Sequence, residues 1–264
     1  MAAIQRIETL LRSVPGFAQL DDQSLGHVAA AGDLAEVAAG DVLFREGALP
    51  QSLYVVLEGK VSLTGTAADA SRTVIDILGP ASSFVLANVL TDERYQMGAE
   101  AISSSVLVRL PAEPMRAVVA AQPAAAMAMM RAMSAELANM TRQVVDLKAR
   151  VATQRLGTYL LSQVKEPAAT PVHFRLPVTK ALLASWLGCR AENLSRAFTA
   201  LRSQGVETHG SRVLLHDIAR LKTYVGVPDG ARLGEPDADS NTPRSVEAIF
   251  GDAFRLRRGR RNAG

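Results

Sequence analysis

Residues 178–206, VTKALLASWLGCRAENLSRAFTALRSQGV, carry two short helical apolar patterns hinged on one glycine, and no other stretch limits the fold so tightly. Thr179 offers a hydroxyl to cap the first helix. Leu182, Leu183 and Leu187 give that helix an apolar face, which closes at Gly188, a residue free to take the left-handed conformation between helices. The second helix is expected over residues 191–203, burying Leu194, Phe198 and Leu201 at spacings of four and three. Two short helices joined by such a turn form a helix-turn-helix, the motif that lays its second helix in the major groove of a duplex.

The opposite face of the second helix carries chemistry suited to base edges. Glu192, Ser195 and Arg196 lie at i, i+3 and i+4. A guanidinium bonds guanine O6 and N7 together, a carboxylate accepts from cytosine N4, and a hydroxyl reaches a base or a phosphate. The plain alternative is a Glu–Arg surface pair at helical spacing, worth roughly a few tenths of a kcal/mol. After Gly205, VETHGSRVLLHD reads as two short strands reversing around His209, Gly210 and Ser211, a β-hairpin wing. Arg212, Lys180, Arg202 and His209, together with Thr179 and Arg190, are the candidates to meet phosphates and hold the register without reading sequence. His216 reads as an ordinary edge-strand residue. Double-stranded DNA is the expected partner.

Upstream, the texture differs. With 264 residues, 48% of them hydrophobic, the chain is long enough for two cores and connecting segments. Between about residues 33 and 109, short Val-, Leu- and Ile-rich runs such as DVLF, LYVVLEG and TVIDILG are separated by Gly, Pro or Asp, the pattern of a small antiparallel β structure. Gly40, Gly47 and Gly59 stand where its strands would reverse. Residues 114–151 are rich in Ala and Met, with Pro123 as the one interior breaker, and read as one long helix. Along it Met130, Met133, Leu137, Met140, Val144, Leu147 and Val151 alternate at three and four residues, an a/d seam. That seam is either a buried amphipathic face or a surface pairing with a second copy, which would make a symmetric homodimer. Arg131, Glu136, Arg142, Asp146, Lys148 and Arg150 fall off it. A further helix is expected from Thr153, as its cap, to about Val164, followed by a turn at EPAATP. Beyond about Val227 the chain becomes rich in Pro, Gly, Asp and Ser, too polar to order itself, and carries FRLRRGRR close to its last residue.

The net charge of +3 is small, so attraction to nucleic acid must come from clustered charge. Cys189, the single cysteine, excludes an intramolecular disulfide and a thiolate cluster and fits a reducing compartment. It reads as a small buried hydrophobe or as an oxidisable thiol. No apolar run approaches the roughly 20 residues of a membrane span, and the cytoplasm is the expected location. With no Gly-rich phosphate loop, metal-spaced His/Cys cluster or paired catalytic constellation, an enzyme is not expected.

Two segments together resemble the Crp/Fnr superfamily of bacterial transcription regulators. AAGDVLFREGALPQSLYVVLEGKVSL matches its β-roll signature through Gly40, Asp41, Phe44, Glu46, Gly47, Tyr54, Leu57, Gly59 and Val61, and LGCRAENLSRAFTALRSQGV matches its helix-turn-helix. The resemblance implies an α+β fold: a β-roll effector domain with N-terminal helices (1–113), a dimerisation helix (114–152), a winged helix-turn-helix (153–226) and a disordered tail (227–264). It implies that Glu192, Ser195 and Arg196 read TTGAT-like half-sites in an inverted repeat, with centres roughly 34 Å apart, and that RNA polymerase is a partner. Arg190 departs from the Ser or Thr frequent at that place. In GPASSFVLANVLTDERYQMGAEA, Leu86 and Tyr95 stand where the family's cyclic-nucleotide binders have Glu and Arg, which argues against a cyclic nucleotide. One cysteine cannot hold an iron–sulfur cluster. An apolar pocket of Phe84, Val85, Leu86, Val89, Tyr95 and Met97 is expected instead. It resembles that of the Dnr-like branch, whose members are linked to nitric oxide sensing through haem, with His27 and Met97 as candidate ligands. The competing expectation is a small-molecule or redox sensor acting through a protein partner with weak DNA binding.

Overall fold

The computed structural model describes residues 2–14, 16–67, 72–164 and 170–226. Among the described residues, eight strands build the N-terminal half: β1 (Asp33–Val37), β2 (Val42–Phe44), β3 (Ser52–Glu58), β4 (Val61–Thr66), β5 (Arg72–Leu78), β6 (Ser83–Phe84), β7 (Gly98–Ala101) and β8 (Ser105–Pro111). They form two antiparallel sheets, ordered β1-β8-β3-β6 and β2-β7-β4-β5. The runs DVLF, LYVVLEG and TVIDILG lie in β2, β3 and β5, as expected. Their separating glycines take positive φ angles: +94° at Gly40, +80° at Gly47 and +83° at Gly59. At Gly59 a side chain is doubly barred, because a Cβ there would come within 2.1 Å of Ser105 Oγ and 2.5 Å of the Ser104 carbonyl.

The unbroken apolar run in β3 follows from burial on both of its faces. Tyr54 and Val56 enter a cluster between the sheets with Phe44, Val61, Leu63, Phe84 and Leu107, while Leu53, Val55 and Leu57 point the other way, into a helical layer. That layer comprises α1 (Ala2–Leu11), α2 (Asp22–Ala31), α3 (Leu86–Thr91), α4 (Ala112–Ala121) and α5 (Pro123–Ala149). Leu10, Leu11, Phe17, Met115 and Met129 are among its fully buried side chains, each worth about 1.5–3 kcal/mol of transfer free energy.

The long helix expected over residues 114–151 is two helices. Gln122, preceding a proline, is extended (φ −131°, ψ 111°), and Pro123 occupies the first position of α5, where its missing N–H leaves no bond unmade. At the other end α5 stops at Ala149. Val151 therefore lies outside it, as the N-terminal flank of α6 (Ala152–Ser162), and displaces Thr153 from the capping position.

The C-terminal unit continues with β9 (Val172–Arg175), α7 (Lys180–Trp186), α8 (Ala191–Leu201), a 3-10 turn at Arg202–Gln204, β10 (Val206–His209), β11 (Arg212–Leu215) and α9 (Ile218–Val225). The wing is a three-stranded sheet, β10-β11-β9, one strand more than the hairpin expected. Leu156, Leu160, Leu183, Leu194, Phe198, Leu201, Val213, Leu215 and Leu221 form a core separate from that of the roll. The tail expected beyond Val227, with Arg255, Arg257, Arg258, Arg260 and Arg261, lies outside the described residues.

Candidate nucleic-acid interface

The helix pair is assembled as its local chemistry dictates. Thr179 Oγ1 accepts the Leu182 N–H at 3.2 Å and caps α7. Leu183 and Leu187 are buried and Leu182 half-buried. Gly188 makes the turn at φ +62°, and a Cβ there would come within 3.0 Å of Leu147 Cδ2, so the turn rests on the end of α5. Arg190 is the N-terminal flank of α8 and gives no side-chain cap. Glu192 sits in the first turn, at the positive end of the helix dipole.

On α8, Leu194, Ala197, Phe198 and Leu201 are buried, and Glu192, Ser195 and Arg196 are exposed. The last three line one open concavity with Thr199 and Ala200. Thr199 was not among the expected site residues. Its position, three beyond Arg196 and four beyond Ser195, was the available signal, and its hydroxyl donates to the Ser195 carbonyl at 3.1 Å. A neighbouring cleft of about 290 Å³ runs between α7, α8 and the wing, lined by Lys180, Ser195, Phe198, Thr199, Arg202 and Thr208 among others. The Lys180 ammonium stands 5.0 Å above the centre of the Phe198 ring, at the mouth of this cleft. Thr179, Lys180, Arg190, Arg202, His209 and Arg212 are all exposed. His209 and Arg212 pair across the wing hairpin, and His216 lies 3.3 Å from Glu207 as an edge contact. Cys189 is half-buried, and burial pushes its thiol pKa up, against the opposing charge of Arg155, so the reactive thiolate is disfavoured.

The expected effector pocket does not hold together. Phe84, Val85 and Tyr95 belong to the cluster between the sheets, with Met97 packed at its edge, while Leu86 and Val89 of α3 belong to the helical layer. The chain changes sides at Val85, which sits at φ +63°, uncommon for a β-branched residue. The space between the sheets is occupied by rings: Phe44 stacks on Tyr95 at 3.9 Å and Tyr54 on Phe84 at 5.3 Å. Tyr95 donates its hydroxyl to the Ser52 carbonyl at 3.2 Å, and burial pushes its pKa up to about 12. His27 is exposed on α2, whose buried residues belong to the helical layer, whereas Met97 borders the cluster between the sheets, so the two candidate haem ligands do not line one pocket.

The α5 stripe is open. Met130, Leu137, Met140, Val144 and Leu147 are each 40–66% exposed, and Met127 and Val145 widen the apolar surface, whereas Met133 turns partly into the helical layer. Val151, though exposed, stands beyond the helix. Among the described residues, no helix is long and apolar enough to cross a membrane.

A β-roll joined by helices to a winged helix-turn-helix, with an acid, a hydroxyl and a guanidinium exposed on the second helix, defines a transcription regulator with a DNA-binding domain. Residues 34–122 match the cyclic nucleotide-binding domain family and residues 154–224 the Crp-like helix-turn-helix domain family. The nitrogen fixation regulation protein FixK of Azorhizobium caulinodans is 30% identical over 201 residues, covering 74% of this chain and 80% of that protein. The transcriptional activator protein FnrA of Stutzerimonas stutzeri is 26% identical, over 71% and 78% of the two chains. The structure of FixK2 from Bradyrhizobium japonicum superposes with a TM-score of 0.62 at 20% identity, over 73% of this chain and 96% of that one, a likeness of fold. The chain belongs to the Crp/Fnr family of transcription regulators.

Proposed function

We propose that the chain acts as a symmetric homodimer, joined along α5, whose two α8 helices read the halves of an inverted TTGAT-like repeat, and that a regulator so bound acts through RNA polymerase. The observation that carries the DNA reading is the joint exposure of Glu192, Ser195 and Arg196 on one face of a helix whose other face is locked in the core. The unpartnered apolar stripe of α5 supports the dimer, because a second copy would bury it on a two-fold axis and pair the two reading helices. Control by a signal is assigned to the β-roll as a whole. The stacked Phe44–Tyr95 and Tyr54–Phe84 rings between the sheets argue against haem, and so against nitric oxide sensed through it, as that signal.

The test is fluorescence anisotropy of the full chain on three duplexes: the inverted repeat, a single half-site and a scrambled sequence. The repeat is expected to bind at least about 1,000-fold tighter than scrambled DNA, as a two-to-one protein–DNA complex in sedimentation. Equal affinity for repeat and scrambled DNA would remove the sequence-reading assignment. A one-to-one complex on the repeat would remove the dimer.

A further inference from the structure

The stretch KARVATQRLGTYLL, in which α5 ends and α6 begins, holds a side chain that the DNA site does not use. Arg155, in the first turns of α6, spans three backbone carbonyls on two other segments. Its Nε donates to the Leu187 carbonyl at 2.9 Å, and its Nη1 donates to those of Arg150 at 2.6 Å and Leu147 at 3.2 Å. Leu147 and Arg150 end α5, and Leu187 ends α7. These are carbonyls that a helix leaves without a partner at its C-terminus, where the negative end of the dipole also favours a cation.

The surroundings make this fork a joint between the stripe-bearing helix and the DNA-reading pair. The Gly188 turn rests on Leu147 beside it. The far side of α7 packs against β5, where the Val74 N–H donates to Ser185 Oγ at 3.0 Å. Arg155 is therefore the side chain that ties α5 and the helix-turn-helix together through several bonds at once. A planar fork with fixed donor directions transmits an angle; a lysine ammonium, compact and on a flexible stem, cannot hold the same three acceptors.

We propose that Arg155 is a positioning residue which sets the angle of the α7–α8 pair on α5, and through it the half-site spacing that the dimer accepts. The proposal rests on the homodimer and inverted-repeat reading above. Because α8 lies beyond the joint from the α5 stripe, a small rotation there displaces each reading helix along the DNA, in opposite senses in the two protomers.

Full-length wild type, Arg155→Lys and Arg155→Ala are compared on the inverted repeat at its best spacing, on the same repeat with one or two base pairs inserted at its centre, and on a single half-site. Wild type is expected to prefer the best spacing by about 100-fold, the gain available when both halves engage together. Both variants are expected to keep single-half-site affinity within about threefold and to lose at least about tenfold of the spacing preference. A smaller loss overturns the proposal. So does loss of single-half-site binding in a variant that still unfolds cooperatively, which would place Arg155 in the reading surface itself. Should Arg155→Ala fail to fold, Arg155→Lys decides alone. Wild type without any preference for two half-sites over one would instead overturn the dimer reading and this inference with it.

Discussion

Arg196 shows how one side chain joins local structure to function. It leaves α8 on the exposed face, four residues after Glu192, and shares an open concavity with Ser195 and Thr199. In that position its guanidinium is free to pair two acceptors on one base edge. Arg196→Ala is expected to weaken specific binding by about 1–3 kcal/mol and to relax preference at one base pair of each half-site, leaving binding to scrambled DNA nearly unchanged. Competition anisotropy with single-base variants measures this; an unchanged ratio of specific to scrambled affinity would exclude base reading by Arg196. Thr199 was harder to find from sequence because threonine inside a helix is common and chemically mild. Its helical spacing allowed the grouping, and the shape of the α8 surface selects it.

At the scale of elements, α5 carries two separable predictions. Its exposed stripe is expected to be the dimer seam, so Leu137→Glu with Met140→Glu places carboxylates against their own symmetry mates. The dimer dissociation constant is expected to rise by about 100-fold or more, roughly 3 kcal/mol. Analytical ultracentrifugation reads this directly, and a variant that stays dimeric at micromolar concentration would move the interface elsewhere. On another face Glu136 is partly buried toward β5, and desolvation, then the charge of Asp76, raises its pKa above the ordinary 4.5. A raised carboxyl pKa stabilises the fold below the unfolded value, and this contribution is lost as pH rises through the folded one. Glu136→Gln is therefore expected to raise the melting temperature at pH 7 and to leave it nearly unchanged at pH 4. Equal shifts at both pH values would show that packing, not charge, governs the site.

The whole molecule has separate cores, one group in the roll and its helical layer and another in the winged unit, joined through α5, the Arg155 fork and the packing of α7 on β5 with its Val74–Ser185 bond. A fragment spanning residues 151–226 takes one complete core with it. It is expected to unfold cooperatively by circular dichroism and to bind one half-site, yet to lose about 100-fold or more of the intact dimer's affinity on the repeat, because the second half-site is no longer tethered. A fragment without a cooperative transition would show that the winged unit depends on the roll for its fold.

What the sequence determined by itself was local: strand and helix periods, the glycine turns, the Thr179 cap and the polar triad on α8 each depend on residues within one or two turns of one another. The stripe on α5 was legible for the same reason, apart from Met133, which turns partly into the helical layer, and Val151, which stands beyond the helix. Tertiary structure alone decided where helices break and which way side chains face when both sides of an element are apolar. Pro123 was visible, but whether it kinks a helix or starts one depends on how α4 and α5 pack. The residues 84–97 were legible as apolar and not as divided, since a hydrophobic side chain satisfies either of two cores and only the path of the chain at Val85 chooses between them. Arg155 belongs to the same class: its three acceptors are backbone carbonyls, which carry no residue identity and come together only when the helices do.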